Sequence, residues 1–194
     1  MLGKENLIDA IAGTNRGLLA SESQKRSILA AMANLEDLNP TPRPLDGSSL
    51  LDGDWRLIYT TSKALLNLDR IPLCKLGQIY QCIRVKTKRI YNIAEIYGLP
   101  YLEGLVSVAA KFEPVSERRV EVKFQRSIVG LKRLIDYRCP GDLIQQIEAG
   151  KKFTAFDTLL DSDGQQGWLD ITYIDSDLRI GRGNEGSVFV LSKA

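Results

Sequence analysis

The chain has 194 residues, of which 44% are hydrophobic and 26% charged, and its formal net charge is +2. A chain of this size and composition folds as one globular domain with at most a short appendage, and it needs no disulfide framework or metal for stability. It contains no histidine, which excludes Ser-His-Asp and Cys-His catalysis and imidazole metal sites.

The N-terminus and the cysteines indicate where the chain works. Lys4 and Glu5 come early and no apolar segment follows, so we expect no signal or transit peptide. No run approaches the ~18 apolar residues of a membrane span, so any membrane contact is peripheral. The three cysteines, Cys74, Cys82 and Cys139, are odd in number and widely spaced, which is typical of free thiols in a reducing compartment.

The first 38 residues have helical periodicity. A first stripe includes Leu7 and Ile11, the segment GTNRG (residues 13–17) interrupts it, and a second stripe follows a capping box that begins at Ser21. The segment NPTPRPLDG (residues 39–47) then has three prolines at alternate positions and predicts a stiff strap. We expect a helical hairpin and strap over residues 1–45 and a second unit over residues 46–194.

From about residue 53 the hydrophobic period changes to two, which indicates antiparallel strands with one buried face. Turn-rich intervals separate several short strands, and such a sheet hides its edges best as a closed barrel, with a sandwich as the next choice. Alternation predicts that one set of side chains faces the interior and could line a ligand pocket, or simply fill a dry core: Trp55, Leu57, Tyr59, Val106, Val108, Phe112, Val120, Val122 and Phe124.

The two ends of this region suggest how the barrel closes. Gly53 lets the chain turn sharply into the first strand, and the large ring of Trp55 then covers one end of the interior. Arg179 and Arg182 stand near the C-terminus, and an arginine of the closing strand could lie across the tryptophan face as a cation–π contact. The alternative is an ordinary core tryptophan with unrelated surface arginines.

Positive charge is concentrated in the middle of the chain. Residues 84–138 hold 12 basic and 6 acidic groups, whereas residues 139–194 hold 5 and 9. Arg84, Lys86 and Lys88 alternate as on one strand face, with Arg89 adjacent, and could contact an anionic membrane surface. The same charges could equally form a solvated face that the acidic C-terminal third neutralises.

Two long motifs resemble one known family. LDGDWRLIYTTS (residues 51–62) and DLRIGRGNEGSVFVL (residues 177–191) are similar to the opening and closing motifs of the plastid lipid-associated proteins, or fibrillins, and GTNRG and GQIYQ (residues 77–81) also fit. The family's closing motif often has an aspartate where Asn184 stands here. Because we expect no transit peptide of the kind that plant members carry, the chain resembles a cyanobacterial member.

The resemblance implies a mainly β fold, a lipocalin-like antiparallel barrel with an N-terminal helical hairpin. It implies a non-enzymatic protein that binds or sequesters a carotenoid, quinone or other isoprenoid lipid and acts in photoprotection. The expected location is the cytoplasmic face of the thylakoid membrane or cytoplasmic lipid globules. The family supplies no catalytic residue, and we expect no cofactor and no metal.

Other functions remain open at this point. The hairpin could supply an apolar groove for photosystem or lipid-biosynthesis partners, which makes a scaffold the main alternative. Nucleic-acid binding ranks lower because aromatic residues are only 7% of the chain and the charge is nearly balanced, so we expect no nucleic acid. Catalysis ranks lowest, since carboxylates such as Asp161, Asp163, Asp175 and Asp177 lie in polar, turn-like stretches.

Overall fold

The structure is a computed structural model that describes residues 2–46, 49–67, 75–160 and 166–194, except for the side chains of Leu2, Ala64, Gln166 and Glu185. Its helices are α1 (Leu2–Ile11), α2 (Glu22–Glu36), α3 (Lys63–Leu66), α4 (Lys132–Ile135) and α5 (Pro140–Glu148). Its strands are β1 (Gly53–Thr60), β2 (Lys75–Arg84), β3 (Arg89–Tyr97), β4 (Gly104–Pro114), β5 (Arg119–Leu131), β6 (Phe156–Leu159), β7 (Gln166–Ile174), β8 (Leu178–Gly183) and β9 (Val188–Lys193). A short 3-10 helix, Asn184–Gly186, joins β8 to β9.

Eight of the strands close into an antiparallel barrel. Their order around the barrel is β4-β3-β2-β1-β9-β8-β7-β5, and a further pairing between β4 and β5 completes the ring. β5 is long enough to have two neighbours on one side: its first half pairs with β7 and its second half with β6. The predicted mainly β, lipocalin-like barrel is confirmed, and closure leaves few exposed strand edges.

The helical hairpin packs on the outside of the barrel wall. Leu7, Ile28, Met32 and other apolar residues of α1 and α2 form one buried cluster with outward side chains of β1, β7, β8 and β9. The predicted capping box is confirmed, because Ser21 accepts a hydrogen bond from the Gln24 amide while the Gln24 side chain accepts one from Ser21. The apolar stripe of the hairpin therefore faces the barrel.

A second helical layer covers another part of the outer wall. α4 and α5 bury Ile135, Leu143 and Ile144 against outward side chains of the neighbouring strands, including Cys82 of β2 and Tyr91 of β3. α5 begins at Pro140, which occupies its first turn. Both sides of these strands are consequently apolar.

Bulges in two strands change which residues face inward. The pairing of β1 with β9 shifts register between Leu57 and Tyr59, which leaves Ile58 as an extra residue, and β7 shifts in the same way around Thr172. An extra residue reverses the alternation beyond it. The prediction that Tyr59 lines the interior is therefore wrong, because Tyr59 lies in the outer cluster beneath the hairpin.

The candidate ligand cavity in the barrel

The barrel interior contains a cavity of about 400 Å³. Four residues expected to face inward line it: Leu57, Val108, Val122 and Phe124. Val106, Phe112 and Val120 also face inward, in the core that surrounds the cavity. The remaining walls come mainly from strands on both sides of β1 and from the segment around α3: Ser62, Leu65, Ile79, Tyr80, Gln81, Ile90, Asn92, Gly167, Trp168, Leu169, Arg179, Gly181, Phe189 and Leu191.

Trp55 and its neighbours close the end of the barrel at which β1 begins. The Trp55 side chain is fully buried, and its indole N–H donates to the Leu51 carbonyl at 3.0 Å. The Arg179 guanidinium carbon lies 5.1 Å from the Trp55 ring centroid and Lys193 Nζ lies 4.3 Å from it. Gly53 adopts a φ of 118°, and a Cβ there would come within 2.9 Å of Lys193 Nζ. A larger residue at Gly53 would thus disturb this closure.

A small polar cluster interrupts the apolar wall. Arg179 Nη2 donates to Gln81 Oε1, and Gln81 Nε2 donates to Asn92 Oδ1 at 2.9 Å. All three side chains belong to residues that line the cavity. Arg179 is only 1% exposed, and burial lowers its pKa to about 9, so the guanidinium remains protonated at neutral pH. Few polar groups in an apolar cavity are typical of sites that orient a small ligand.

Arg182 has a role different from the one expected at the barrel closure. Its Nε and Nη2 donate to the two carboxylate oxygens of Glu36 at 2.9 and 2.7 Å. Glu36 is the last residue of α2, so this pair fixes the hairpin to the outer wall. The prediction of Arg182 at the tryptophan is wrong because Arg179 and Arg182 are three positions apart and face opposite sides of the strand.

The four basic residues expected at a membrane surface do not share a strand face. β2 ends at Arg84, a turn contains Lys86 and Lys88, and Arg89 begins β3. Three of them have intramolecular partners: Arg84 pairs with Asp54 at 2.8 Å, Lys88 pairs with Glu113 at 2.8 Å, and Arg89 donates to the Tyr91 hydroxyl. The register of β2 places this turn beside Gly53, at the closed end of the barrel.

Gln81 and Asn92 are cavity residues that the sequence pattern did not reveal. Each alternates with apolar neighbours on its strand, but the outward positions, such as Cys82 and Tyr91, are apolar too. The cause is α5, which covers the outside of these strands. Only the polar residues themselves, isolated in the otherwise apolar runs around residues 79–83 and 90–94, could have marked the two inward positions.

Within the described ranges, we find no group of three or more His, Cys, Asp or Glu side chains that could hold a metal ion. Cys82 and Cys139 are free thiols, and Cys74 lies outside the described residues. None of the helices in the described part of the chain combines the length and the apolar character needed to cross a bilayer.

A closed eight-stranded antiparallel barrel with an interior apolar cavity and a buried tryptophan–arginine contact at one end defines a lipocalin-like barrel. The PAP_fibrillin family model matches residues 1–192. The chain therefore belongs to the plastid lipid-associated protein, or fibrillin, family.

Curated relatives support the assignment along almost the whole chain. The chain is 33% identical to a chromoplast-specific carotenoid-associated protein of Cucumis sativus over 98% of its length and 67% of the relative's. It is 32% identical to a light-induced chloroplast protein of Solanum tuberosum, with 98% and 66% covered. It is 36% identical to probable plastid-lipid-associated protein 1 of Arabidopsis thaliana, with 98% and 68% covered. The chain thus spans about two thirds of these relatives, and no solved structure matches it.

Proposed function

We propose that this protein binds one lipophilic molecule, such as a carotenoid, quinone or other isoprenoid lipid, inside its barrel without chemically changing it. The observation that carries the proposal is the interior cavity of about 400 Å³ and its predominantly apolar wall. Binding would take place at a thylakoid-type membrane or a lipid globule, where sequestering such a molecule would contribute to photoprotection. The names of the plastid relatives support the lipid association.

The size of the cavity favours a single chain or ring system as occupant. Ligand pockets span about 300–1,000 Å³, so this cavity lies near the lower end of that range. An occupant larger than the cavity would have to protrude from it. Ser62 and Leu65 line the cavity where β1 ends, away from the Trp55 closure, and this is the end at which we place the entrance.

A quinone titration tests the proposal. The purified protein is titrated with decyl-plastoquinone, an uncharged probe, while tryptophan fluorescence is followed. Trp55 lies in the interior core, whereas the ring of Trp168 packs against Arg119 on the outer face of β7, so an occupant is expected to quench Trp55 saturably with one molecule per chain.

A pair of substitutions on β4 locates the occupant. Val108 lines the cavity, so Val108→Phe narrows it without adding a fluorescent tryptophan and should weaken saturable quenching. Lys111 lies on the same strand but is exposed on the outside, so Lys111→Phe should leave the affinity unchanged. Non-saturable quenching, or equal affinity of the two variants, would reject an interior site.

The entrance end also carries a surface suited to a lipid layer. The connection between β3 and β4 exposes three large apolar side chains, with Leu99, Tyr101 and Leu102 at 52%, 77% and 54% of full exposure. Leu134 is exposed as well, next to the exposed cation Arg133. Aromatic and apolar groups beside a cation are typical of peripheral binding to anionic lipid. We propose that this tip, rather than the turn with Lys86 and Lys88, inserts into the lipid surface.

Vesicle sedimentation separates the two surfaces. Leu102→Asp should weaken binding to vesicles that contain anionic lipid, whereas Val85→Asp, in the turn at the closed end, should leave it unchanged. If Val85→Asp or Lys86→Glu weakens binding and Leu102→Asp does not, the basic turn is the contact and the tip is not.

A further inference from the structure

The most unusual charge in the molecule is the guanidinium of Arg179. It is buried, and its Nε and Nη1 make no hydrogen bond to any described group of the protein. The remaining nitrogen, Nη2, is held by the neutral side-chain oxygen of Gln81. Among the ion pairs of the described residues, none includes Arg179, so its charge has no carboxylate counterpart there.

Other arginines of the chain have the partner that Arg179 lacks. Arg119, Arg126 and Arg182 each donate two hydrogen bonds to one carboxylate, at 2.6 to 2.9 Å. All three are more exposed than Arg179, so an unpaired charge at these positions would have a smaller desolvation penalty. Removing a cation from water without an anion is strongly unfavourable, and such a charge persists where it has a function.

The contact with Trp55 offsets only part of this penalty. A cation–π contact is a weak interaction, and the effective penalty of burying an ion without a counter-charge is larger. Lys193, on the same ring, adds positive charge rather than negative. The electrostatic field at the inner end of the cavity is therefore positive and favours an anion.

We propose that Arg179 is the anchor for the carboxylate of a long-chain fatty acid or similar single-chain amphiphile that enters the cavity head first. The inference rests on the proposed function, since it specifies the chemistry of the occupant of the same cavity. The carboxylate accepts from one free edge of the Arg179 guanidinium, through Nε or through Nη1, neither of which has another partner among the described groups. The chain lies along Val108, Val122 and Leu191 toward the entrance near Leu65.

Gln81 acts as a positioning residue in this arrangement. Its Oε1 accepts from Arg179 Nη2, and its own Nε2 is held by Asn92, so two neighbouring strands fix the orientation of the guanidinium. Because Nη2 donates to Gln81, a ligand is left with Nε or Nη1, which lie on different edges of the guanidinium. A fixed donor set loses little conformational entropy on binding.

A pair of probes that differ only in the head group tests the inference on the unaltered protein. Affinities for hexadecanoate and for its methyl ester are measured by competition with decyl-plastoquinone at pH 8. Hydrogen bonds to a charged group contribute about 1.5–3 kcal/mol, so we expect hexadecanoate to bind roughly 10- to 100-fold more tightly than the ester.

Variants of two arginines on β8 show whether Arg179 causes this preference. Arg179→Gln should reduce the affinity for hexadecanoate to that of the ester, so that the preference for the acid disappears. Arg182→Gln removes a cation on the outside of the same strand and should retain the full preference. Arg179→Lys keeps the positive charge and should retain part of the preference for the acid. This variant replaces Arg179→Gln if the glutamine variant does not fold.

The outcomes distinguish this inference from the broader proposal. Equal affinity of the intact protein for the acid and the ester would overturn the role of Arg179 while leaving lipophile binding in place. A preference that survives Arg179→Gln, or that Arg179→Lys in its stead leaves at its full size, would overturn it as well. Failure of the quinone and both hexadecyl probes to bind would overturn both proposals.

Discussion

At the scale of single residues, a difference in burial predicts a difference in thiol reactivity between the two described cysteines. Cys82 is fully buried on the outer side of β2 beneath α5, and burial, together with the nearby Asp54 carboxylate, raises the pKa of its thiol well above the usual range. Cys139 is exposed immediately before α5. Since the thiolate is the reactive form, only an accessible thiol that can ionise is readily alkylated.

We therefore expect iodoacetamide at pH 8 to modify Cys139 at least an order of magnitude faster than Cys82 in the folded protein. Peptide mass spectrometry after timed quenching assigns each modification to its residue, which keeps the signal of Cys74 separate. In urea the two rates should converge. Comparable rates in the folded protein would contradict the packing of α5 on β2.

A second residue-scale prediction concerns Asp157, which joins β6 to β5. Arg126 donates to both carboxylate oxygens at 2.7 and 2.6 Å and the Phe153 amide donates at 3.1 Å. The hydrogen bonds from Arg126 are the main reason that the pKa of Asp157 is lowered. Asp157→Asn should lower the free energy of unfolding at pH 7 by about 1–3 kcal/mol.

The pH dependence of this difference follows from the sign of the shift. A lowered pKa in the folded state stabilises the protein above about pH 4 and ceases to do so as the pH falls through the folded-state value. Urea denaturation of the two proteins should show a gap at pH 7 that shrinks below pH 4. Asp136→Asn is the control, because Asp136 is exposed and lies 3.9 Å from its partner Arg138. This variant should change the free energy of unfolding little at either pH.

At the scale of elements, alternation predicted the strands better than it predicted their faces. It indicated β1, β4 and the first part of β5, and it placed Leu57, Val108 and Val122 correctly in the interior. It failed at Tyr59 because a bulge at Ile58 has no sequence pattern of its own. It also passed over β2 and β3, because helices cover their outer faces and remove the polar half of the pattern.

The docking of the hairpin on β1 makes an element-scale prediction about two glycines of its loop. Gly17 has a φ of +100°, and a Cβ there would lie 2.4 Å from the Thr60 carbonyl oxygen. Gly13 has a φ of +74° with open space around the Cβ position. In both variants alanine must adopt a left-handed backbone conformation, which lowers the free energy of unfolding by about 1–2 kcal/mol. Only Gly17→Ala also forces the loop away from the barrel.

We expect Gly17→Ala to destabilise the protein more than Gly13→Ala in urea denaturation. Its loop would also lose the hydrogen bond from the Thr60 amide to the Arg16 carbonyl, now 3.0 Å, which amide hydrogen exchange at Thr60 reports directly. Equal losses of stability with unchanged exchange at Thr60 would show that the loop does not depend on this close approach.

At the scale of the whole molecule, the barrel has two different ends. Trp55, Gly53 and Lys193 close one end, while the cavity extends to the other, where Leu65 and the exposed tip at residues 99–102 lie. The sequence predicted the tryptophan closure and the barrel. It did not predict at which end of the barrel the basic turn lies, because that depends on strand register: the pairing of β2 with β1 and β3 places this turn at the closed end.

The most direct test of the account is to locate the bound molecule by isotope-edited NMR on the labelled protein with unlabelled hexadecanoate. We predict nuclear Overhauser effects from the acyl chain to the methyl groups of Val108, Val122 and Leu191, and a shift of the Arg179 Nε–H resonance. Effects confined to exposed residues such as Leu99 and Leu102, with the interior methyl groups unchanged, would contradict it.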